Sequence, residues 1–241
     1  IYDTSSGKLS SEKTIIISDN IIKSIENGYK EVSDDNIKIY DLKSKVVLPG
    51  LIDFHVHMES QSGGQDRYIK RFQDNKADIA FKSSVIAKKT LMAGFTTVRD
   101  VGGSGVNISL RNAINNGVVP GPRIFTSGKT IATTGGHGDR TNGYRDDLVD
   151  DPGPEQGVVN SIADARKAVR YRYKNGADLI KITATGGVMS LAKNGQNPQF
   201  TEEVIREIVK TANDYGMHVA AHAHGDEGMF RAVNAGVTTI E

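Results

Sequence analysis

The chain has 241 residues, 37% of them hydrophobic and 24% charged, an ordinary globular composition with enough length for one large core or two modest ones, which argues against disorder. Thirty Lys and Arg against 29 Asp and Glu leave a formal charge of +1, so no bulk field draws nucleic acid or an anionic membrane, and a small neutral or zwitterionic partner fits better. There is no cysteine, which excludes disulfides and thiolate metal sites and leaves His, carboxylate or modified side chains as ligands for any metal.

No run reaches the roughly 18 apolar residues of a membrane span, and IYDTSSGKLS lacks the basic-then-apolar order of a signal peptide. Because the chain starts at Ile1 and not at Met, missing N-terminal residues are expected and a cleaved leader stays open. The expectation is a soluble protein, leaning cytoplasmic.

Residues 1–48 read as a small β unit: TIII (Thr14 to Ile17), the turn signal Ser18-Asp19-Asn20, then IIKSI closing at Asn27-Gly28. After KVVLPG the texture changes. Helical apolar stretches alternate with short β-branched runs, the pattern of βα units around a parallel sheet. The junctions LMAG-FTTVRD, YKNG-ADLIKIT, NDYG-MHVAAH and VNAG-VTTIE predict left-handed helix C-caps at Gly94, Gly176, Gly216 and Gly236. Asn116-Gly117 leads through Pro120 and Pro122 to RIFTSG, Ser161 is an expected N-cap, and Thr201 before EEVIREIV resembles a capping box.

Counting LIDFHVH, six barrel strands are expected. An eight-stranded barrel needs about 250 residues, and the chain stops inside the apolar strand VTTIE, which would leave an unpaired sheet edge. The expected fold class is therefore α/β, a (β/α)8 TIM-type barrel that is incomplete in this chain, preceded by the N-terminal β unit. The expected domains are 1–48 and 49–241.

The strand period of two puts Asp53, His55 and His57 on one face of LIDFHVH and Ile52, Phe54 and Val56 on the other. Two imidazoles at i and i+2, at the C-terminal end of a barrel strand, lie at the mouth where barrel active sites form and can grip one divalent ion. In ADLIKITATGG the same alternation sends Leu179, Lys181 and Thr183 inward. A lysine in the interior must be paired, neutral or chemically altered, since an unpaired buried ammonium is costly. The plain reading is an ion pair with Asp53 or Asp100; the chemical one is carbon dioxide added to the neutral amine, giving a carbamate whose two oxygens can bridge two metals.

In MHVAAHAHG the inward set is His218, Ala220, His222 and His224. With a rise of roughly 3.3 Å per residue, His218 falls about 13 Å below His222 and reads as structural. His222, at the strand end, is the better ligand, and His224 just beyond it either touches substrate or is a solvated loop residue. ATTGGHGDRTNG is a glycine-rich loop on the mouth side carrying His137; such glycines allow close backbone approach to a ligand, although a merely mobile loop has the same composition. Asp150-Asp151 and Glu202-Glu203 read as a turn and a helix start.

Taken together and in this order, LPGLIDFHVH, LIKITATGG and HVAAHAHG resemble the amidohydrolase superfamily. With MAGFTTVRDVGG and TTGGHGD, the resemblance narrows to the group of Xaa-Pro dipeptidases, related carboxypeptidase-like enzymes and, more distantly, imidazolonepropionases. It covers essentially the whole chain, the N-terminal β unit included, which in the family is part of a sandwich completed by C-terminal strands. The resemblance implies two divalent metal ions, zinc being the expected one. His55 and His57 would bind the more buried ion, carboxylated Lys181 would bridge to the second, and His222 would bind that second ion. His137 and His224 match positions near the substrate. In relatives another ligand His ends the sixth strand, which tends to read TTIEHG, and a catalytic Asp ends the eighth. Both are expected beyond Glu241, so the chain is expected to be a fragment and inactive alone.

The implied activity is hydrolysis of an amide bond in a small substrate, most naturally a dipeptide with C-terminal Pro, Arg or Lys, by water activated between two metals. Cyclic amide hydrolysis and a mononuclear deaminase are the alternatives within the superfamily; the deaminase would not need a carboxylated Lys181. An inactive metal-binding scaffold is the alternative outside enzymes. A phosphate-binding barrel enzyme would want a late glycine-rich phosphate loop, which the sequence does not show. Relatives often assemble, which leaves a homo-oligomer open.

Overall fold

The computed structural model describes residues 1–60, 66–188, 190–191 and 194–241. The chain divides into two compact units, Ile1–Leu51 and Ile52–Glu241.

In the first unit, strands β1 (Tyr2–Asp3) and β2 (Lys8–Leu9) pair antiparallel, and β3 (Lys13–Ser18) and β4 (Ile21–Asn27) form a hairpin with Ser18 opposite Ile21. The turn signal works as the residue types require. Asp19 and Asn20 both take positive φ, 53° and 62°, the pair of left-handed residues that a two-residue hairpin turn needs.

The second unit alternates strand and helix. Its strands are β5 (Leu51–Val56, beginning one residue before the division), β6 (Phe95–Asp100), β7 (Arg123–Thr126), β8 (Ile180–Thr183), β9 (Val219–His222) and β10 (Thr239–Ile240). Helices α1 (Asp66–Gln73) and α2 (Lys76–Met92) follow β5, α3 (Val106–Asn115) follows β6, α4 (Ile162–Lys174) precedes β8, α5 (Glu202–Asp214) precedes β9, and α6 (Asp226–Asn234) precedes β10. The strands hydrogen-bond in the orders β5-β6-β7 and β8-β9-β10. The pairs β6-β7, β8-β9 and β9-β10 are parallel. Between the two sheets, Asp178 N donates to Thr126 O at 2.8 Å and Ile131 makes a parallel bridge to Ile182, so among the described residues these six strands follow one another in chain order without closing.

The two faces of the strands separate as their alternation requires. Ile180, Ile182, Val219 and Ala221 pack with Ile205, Ile208 and Ala212 of α5 and Ala168 and Val169 of α4 in the main apolar cluster. Leu179, Ala220 and Val101 form a separate, fully buried cluster on the inner side. Each fully buried Leu or Ile contributes on the order of 2 kcal/mol.

Helix ends also follow the local chemistry. Gly94, Gly176, Gly216 and Gly236 all have positive φ, the left-handed turn that ends a helix and sends the chain into the next strand. Ser161 caps α4 by accepting from Asp164 N at 3.1 Å. Thr201 departs from expectation: it holds the N-cap position of α5, but its hydroxyl makes no capping bond, and Glu202 and Glu203 in the first turn face the helix dipole instead. The full capping box lies at the start of α2, with Asn75 as N-cap and Asp78 in the first turn, an Asn-x-x-Asp signal the sequence reading did not use. Among the described residues no helix is long and apolar enough to cross a membrane.

Candidate metal centre

His55 and His57 sit at the C-terminal end of β5, Lys181 is the second residue of β8, His222 ends β9 with His224 two residues beyond, and His137 is on the loop after β7. His55 lies within β5 and His57 one residue beyond it, with ring centroids 5.4 Å apart and planes at 77°. His57 Nδ1 lies 2.9 Å from the carbonyl of Gly102, which can only accept, so Nδ1 carries the proton and Nε2 the lone pair. His55 Nδ1 lies 2.8 Å from Glu241 Oε2. His222, at the end of β9, places Nε2 2.9 Å from the carbonyl of Gly186 and so keeps its lone pair on Nδ1.

Each of the three imidazoles therefore has one ring nitrogen tied to a protein oxygen. That is the arrangement by which metal-ligating histidines are oriented and made more basic.

Lys181 lies in β8, paired with Ala220 of the strand that ends at His222. It is 4% exposed, and it interacts electrostatically with Glu241 and with His222. Burial, reinforced by Arg99 and opposed by Glu241, lowers its pKa to about 8, so a fraction of the amine is neutral near physiological pH. Neither carboxylate weighed as its partner in the sequence takes that role. Asp53 Oδ1 accepts from His55 N at 2.9 Å, and fully buried Asp100 accepts from Met58 N and Gly102 N, each at 3.2 Å. Among the described residues no ion pair reaches Lys181, and no group of three or more His, Asp and Glu is already gathered for a metal.

His137 and His224 complete the mouth. The His137 ring stacks on His222 with centroids 4.4 Å apart and planes at 14°, and the His224 ring meets His222 edge-on at 4.5 Å. Burial, as the leading cause, pushes the His222 imidazole down to about 4, keeping it neutral as a ligand must be. Gly187 backs onto this stack: a Cβ there would fall 2.8 Å from both His137 Cε1 and His222 Nε2. Beside it a cavity of about 410 Å³ is lined by Gly187, Val188, Ser190, Gly195, Gln196 and His224. His218 lies apart from this group, its imidazole lowered by burial and then by Arg99.

The sequence reading missed Arg99 and Glu241. Arg99 Nε donates to Phe54 O at 2.7 Å, its Nη1 donates to Thr239 Oγ1 at 3.1 Å, and its Nη2 pairs with Glu241. A signal was present: with Val98 and Ile240 on the outer faces of β6 and β10, Arg99 and Glu241 are charged residues at inward positions.

Residues 46–241 match the amidohydrolase family. The chain is 53% identical to a Xaa-Pro dipeptidase whose crystal structure has methionine bound in its active site, with a TM-score of 0.88 over 94% of this chain and 55% of that one. A prolidase crystallised with N-methylphosphonate-L-proline is 35% identical, with a TM-score of 0.85 over 99% of this chain and 58% of that one. Among characterised proteins, ochratoxinase of Aspergillus niger is 32% identical over 211 residues, which is 81% of this chain and 43% of that enzyme. The chain thus spans about half the length of these relatives.

Proposed function

The chain belongs to the amidohydrolase family, and on that premise we propose that it is the metal-binding part of a hydrolase that cuts an amide bond in a small substrate, with a dipeptide as the first candidate. The similarity to a Xaa-Pro dipeptidase and to a prolidase supports a C-terminal proline, and the similarity to ochratoxinase supports amide hydrolysis more broadly. In this reading residues 49–241 belong to a β/α barrel and residues 1–48 to a β-sandwich.

One observation carries the proposal: three imidazoles each have one nitrogen held by a protein acceptor, and the buried Lys181, which feels the charge of the Glu241 carboxylate that holds His55 and acts in turn on His222, has an amine that is easily neutral. His55 and His57 would hold one divalent ion through Nε2, His222 a second through Nδ1, and a carbamate on Lys181 would supply an oxygen to each. A bare lysine brings no oxygen until it is carboxylated, so the carbamate would complete the site. Zinc suits the donor set of imidazole nitrogen and carboxylate-like oxygen. When bound, two such ions lower the pKa of water and polarise the scissile carbonyl.

This chain's own residues would then orient the substrate. His137 and His224, whose rings pack on His222, would offer hydrogen bonds to the arriving carbonyl or terminal carboxylate, and the cavity beside Gly187 would take a neighbouring group. No residue among 1–241 is assigned as proton shuttle to the leaving amine. Lys181 favours this reading over a mononuclear deaminase, which has no use for a bridging carbamate.

The test is metal analysis joined to a substrate panel on the zinc-loaded full-length protein, of which these 241 residues are the proposed metal-binding part. Two zinc ions per protein and hydrolysis of Xaa-Pro dipeptides are expected; a protein that binds no zinc, or cleaves none of the Xaa-Pro, Xaa-Arg and Xaa-Lys dipeptides, would overturn the proposal.

A further inference from the structure

We infer that Glu241 is a positioning residue for the metal ligand His55, held in place by Arg99. The inference rests on the metal-binding reading above and goes beyond it by assigning a function to two residues outside the ligand set. His55 comes from the first strand of the row and Glu241 follows the sixth, 186 residues later, yet Nδ1 and Oε2 are 2.8 Å apart. A carboxylate accepts and cannot donate, so this contact fixes the proton on Nδ1 and leaves the lone pair on Nε2.

The carboxylate is itself fixed from several directions. Its Oε1 accepts from Thr239 Oγ1 at 2.7 Å and pairs with Arg99 Nη2, while Arg99 is anchored through Nε to the carbonyl of Phe54, the residue before His55. The Glu241 side chain is 6% exposed and that of Arg99 11%, so neither swings freely in solvent. Burial works against ionisation of Glu241, but bonds from Thr239 and His55, together with the charges of Arg99 and Lys181, hold its pKa below the ordinary carboxylate value.

Arg99 therefore touches both ends of the contact it supports. Through Phe54 O it fixes the backbone that carries His55, and through Glu241 it fixes the acceptor that orients the ring. Outer partners of this kind typically change metal affinity by roughly 10–100-fold.

Two substitutions separate positioning from mere packing. Glu241→Gln and Glu241→Leu both strip Arg99 of its charge partner, so any structural cost should be shared by the two metal-free proteins in thermal unfolding. Only Gln keeps an oxygen that can accept from His55 Nδ1. The expected result is a loss of zinc affinity of about 10–100-fold for Glu241→Leu, measured by chelator competition, with most of it recovered in Glu241→Gln. The cobalt(II) absorption spectrum should be altered in the Leu variant and close to wild type in the Gln variant. Equal affinities in Leu and wild type, or equal losses in Leu and Gln, would overturn the inference.

Should Glu241→Leu fail to fold, the wild-type protein still decides. NMR of metal-free protein with isotope-labelled histidine, with the His55 signal identified by its absence in His55→Gln, should report the Nδ1-protonated tautomer; the Nε2-protonated form would refute the assignment. A wild-type protein that binds no zinc yet shows this tautomer would sink the metal reading and leave the contact standing.

Discussion

The imidazoles of His137 and His222 are stacked, 4.4 Å between centroids and 14° from parallel, and Gly187 is pressed against both rings. The stack joins the loop after β7 to the end of β9, and the missing side chain at 187 lets the loop after β8 lie over it. What a Cβ would strike there is ring atoms and not backbone, so the rings must yield while the surrounding chain keeps its path.

Gly187→Ala is therefore expected to disturb the site and spare the fold. On the proposed role of His222, activity of the full-length protein should fall by about 10–100-fold, the range for removing support from a metal ligand, while the denaturant midpoint stays near wild type. Steady-state kinetics and chemical unfolding check this together. Unchanged activity would mean that the stack relaxes without moving His222.

Lys181→Met offers the complementary case. Methionine of similar length fills the same buried space without a charge, so stability should hold or rise, because a buried amine without an ion pair is costly. Metal content should fall, and activity should fall by more than the roughly 10–100-fold that an outer partner accounts for. If the lysine acts as a carbamate, reloading wild-type protein with zinc in carbon-dioxide-free buffer should be slow and bicarbonate should accelerate it. Reloading at a rate independent of bicarbonate would leave Lys181 a structural residue.

Much of this arrangement is legible in the sequence because strand geometry is periodic. Alternation alone separates Ile180 and Ile182, which pack on helices, from Leu179, which joins the inner cluster with Ala220, and it puts Lys181 and His222 on that same inward side. Glycine chemistry likewise fixes the helix ends at Gly94, Gly176, Gly216 and Gly236. The acceptors that orient the imidazoles are not legible in the same way. Gly102 lies 45 residues from His57 and Glu241 lies 186 from His55, and only the folded row of strands brings them within reach. Nor does a resemblance decide which bond a side chain makes: Thr201 stands before an acidic first turn, but the position three residues on is Val204, which cannot complete a capping box, and the Thr201 hydroxyl caps nothing.

Asp100 should leave a mark on the pH dependence of stability. Burial raises its carboxyl from 3.8 to about 7. Between those values the folded chain keeps a proton that the unfolded chain has released, so the contribution is fully present below the unfolded pKa and is lost as pH rises through the folded one. The size is on the order of a few kcal/mol. Asp100→Asn stays neutral at every pH, at the constant cost of turning an amide N–H toward one of the two backbone donors, Met58 N and Gly102 N. Urea unfolding of both proteins from about pH 4 to pH 7 should show the wild type losing stability relative to the variant. A difference that does not change with pH would place the Asp100 pKa near its ordinary value.

The two helix starts that look alike in sequence should respond differently to the same change. Ser161 Oγ accepts from Asp164 N at 3.1 Å, whereas the Thr201 hydroxyl makes no capping bond. Ser161→Ala should then cost about 1 kcal/mol, the usual value of a lost N-cap. Thr201→Ala should stay within about 0.5 kcal/mol of wild type, as a surface change away from such a bond does. Because both changes remove one hydroxyl from a helix N-terminus, general effects of alanine are matched, and the difference between the two unfolding midpoints reports the capping bond. Equal losses at the two positions would mean that Thr201 caps α5 in solution after all, and the charges of Glu202 and Glu203 would no longer be needed to explain how that helix begins.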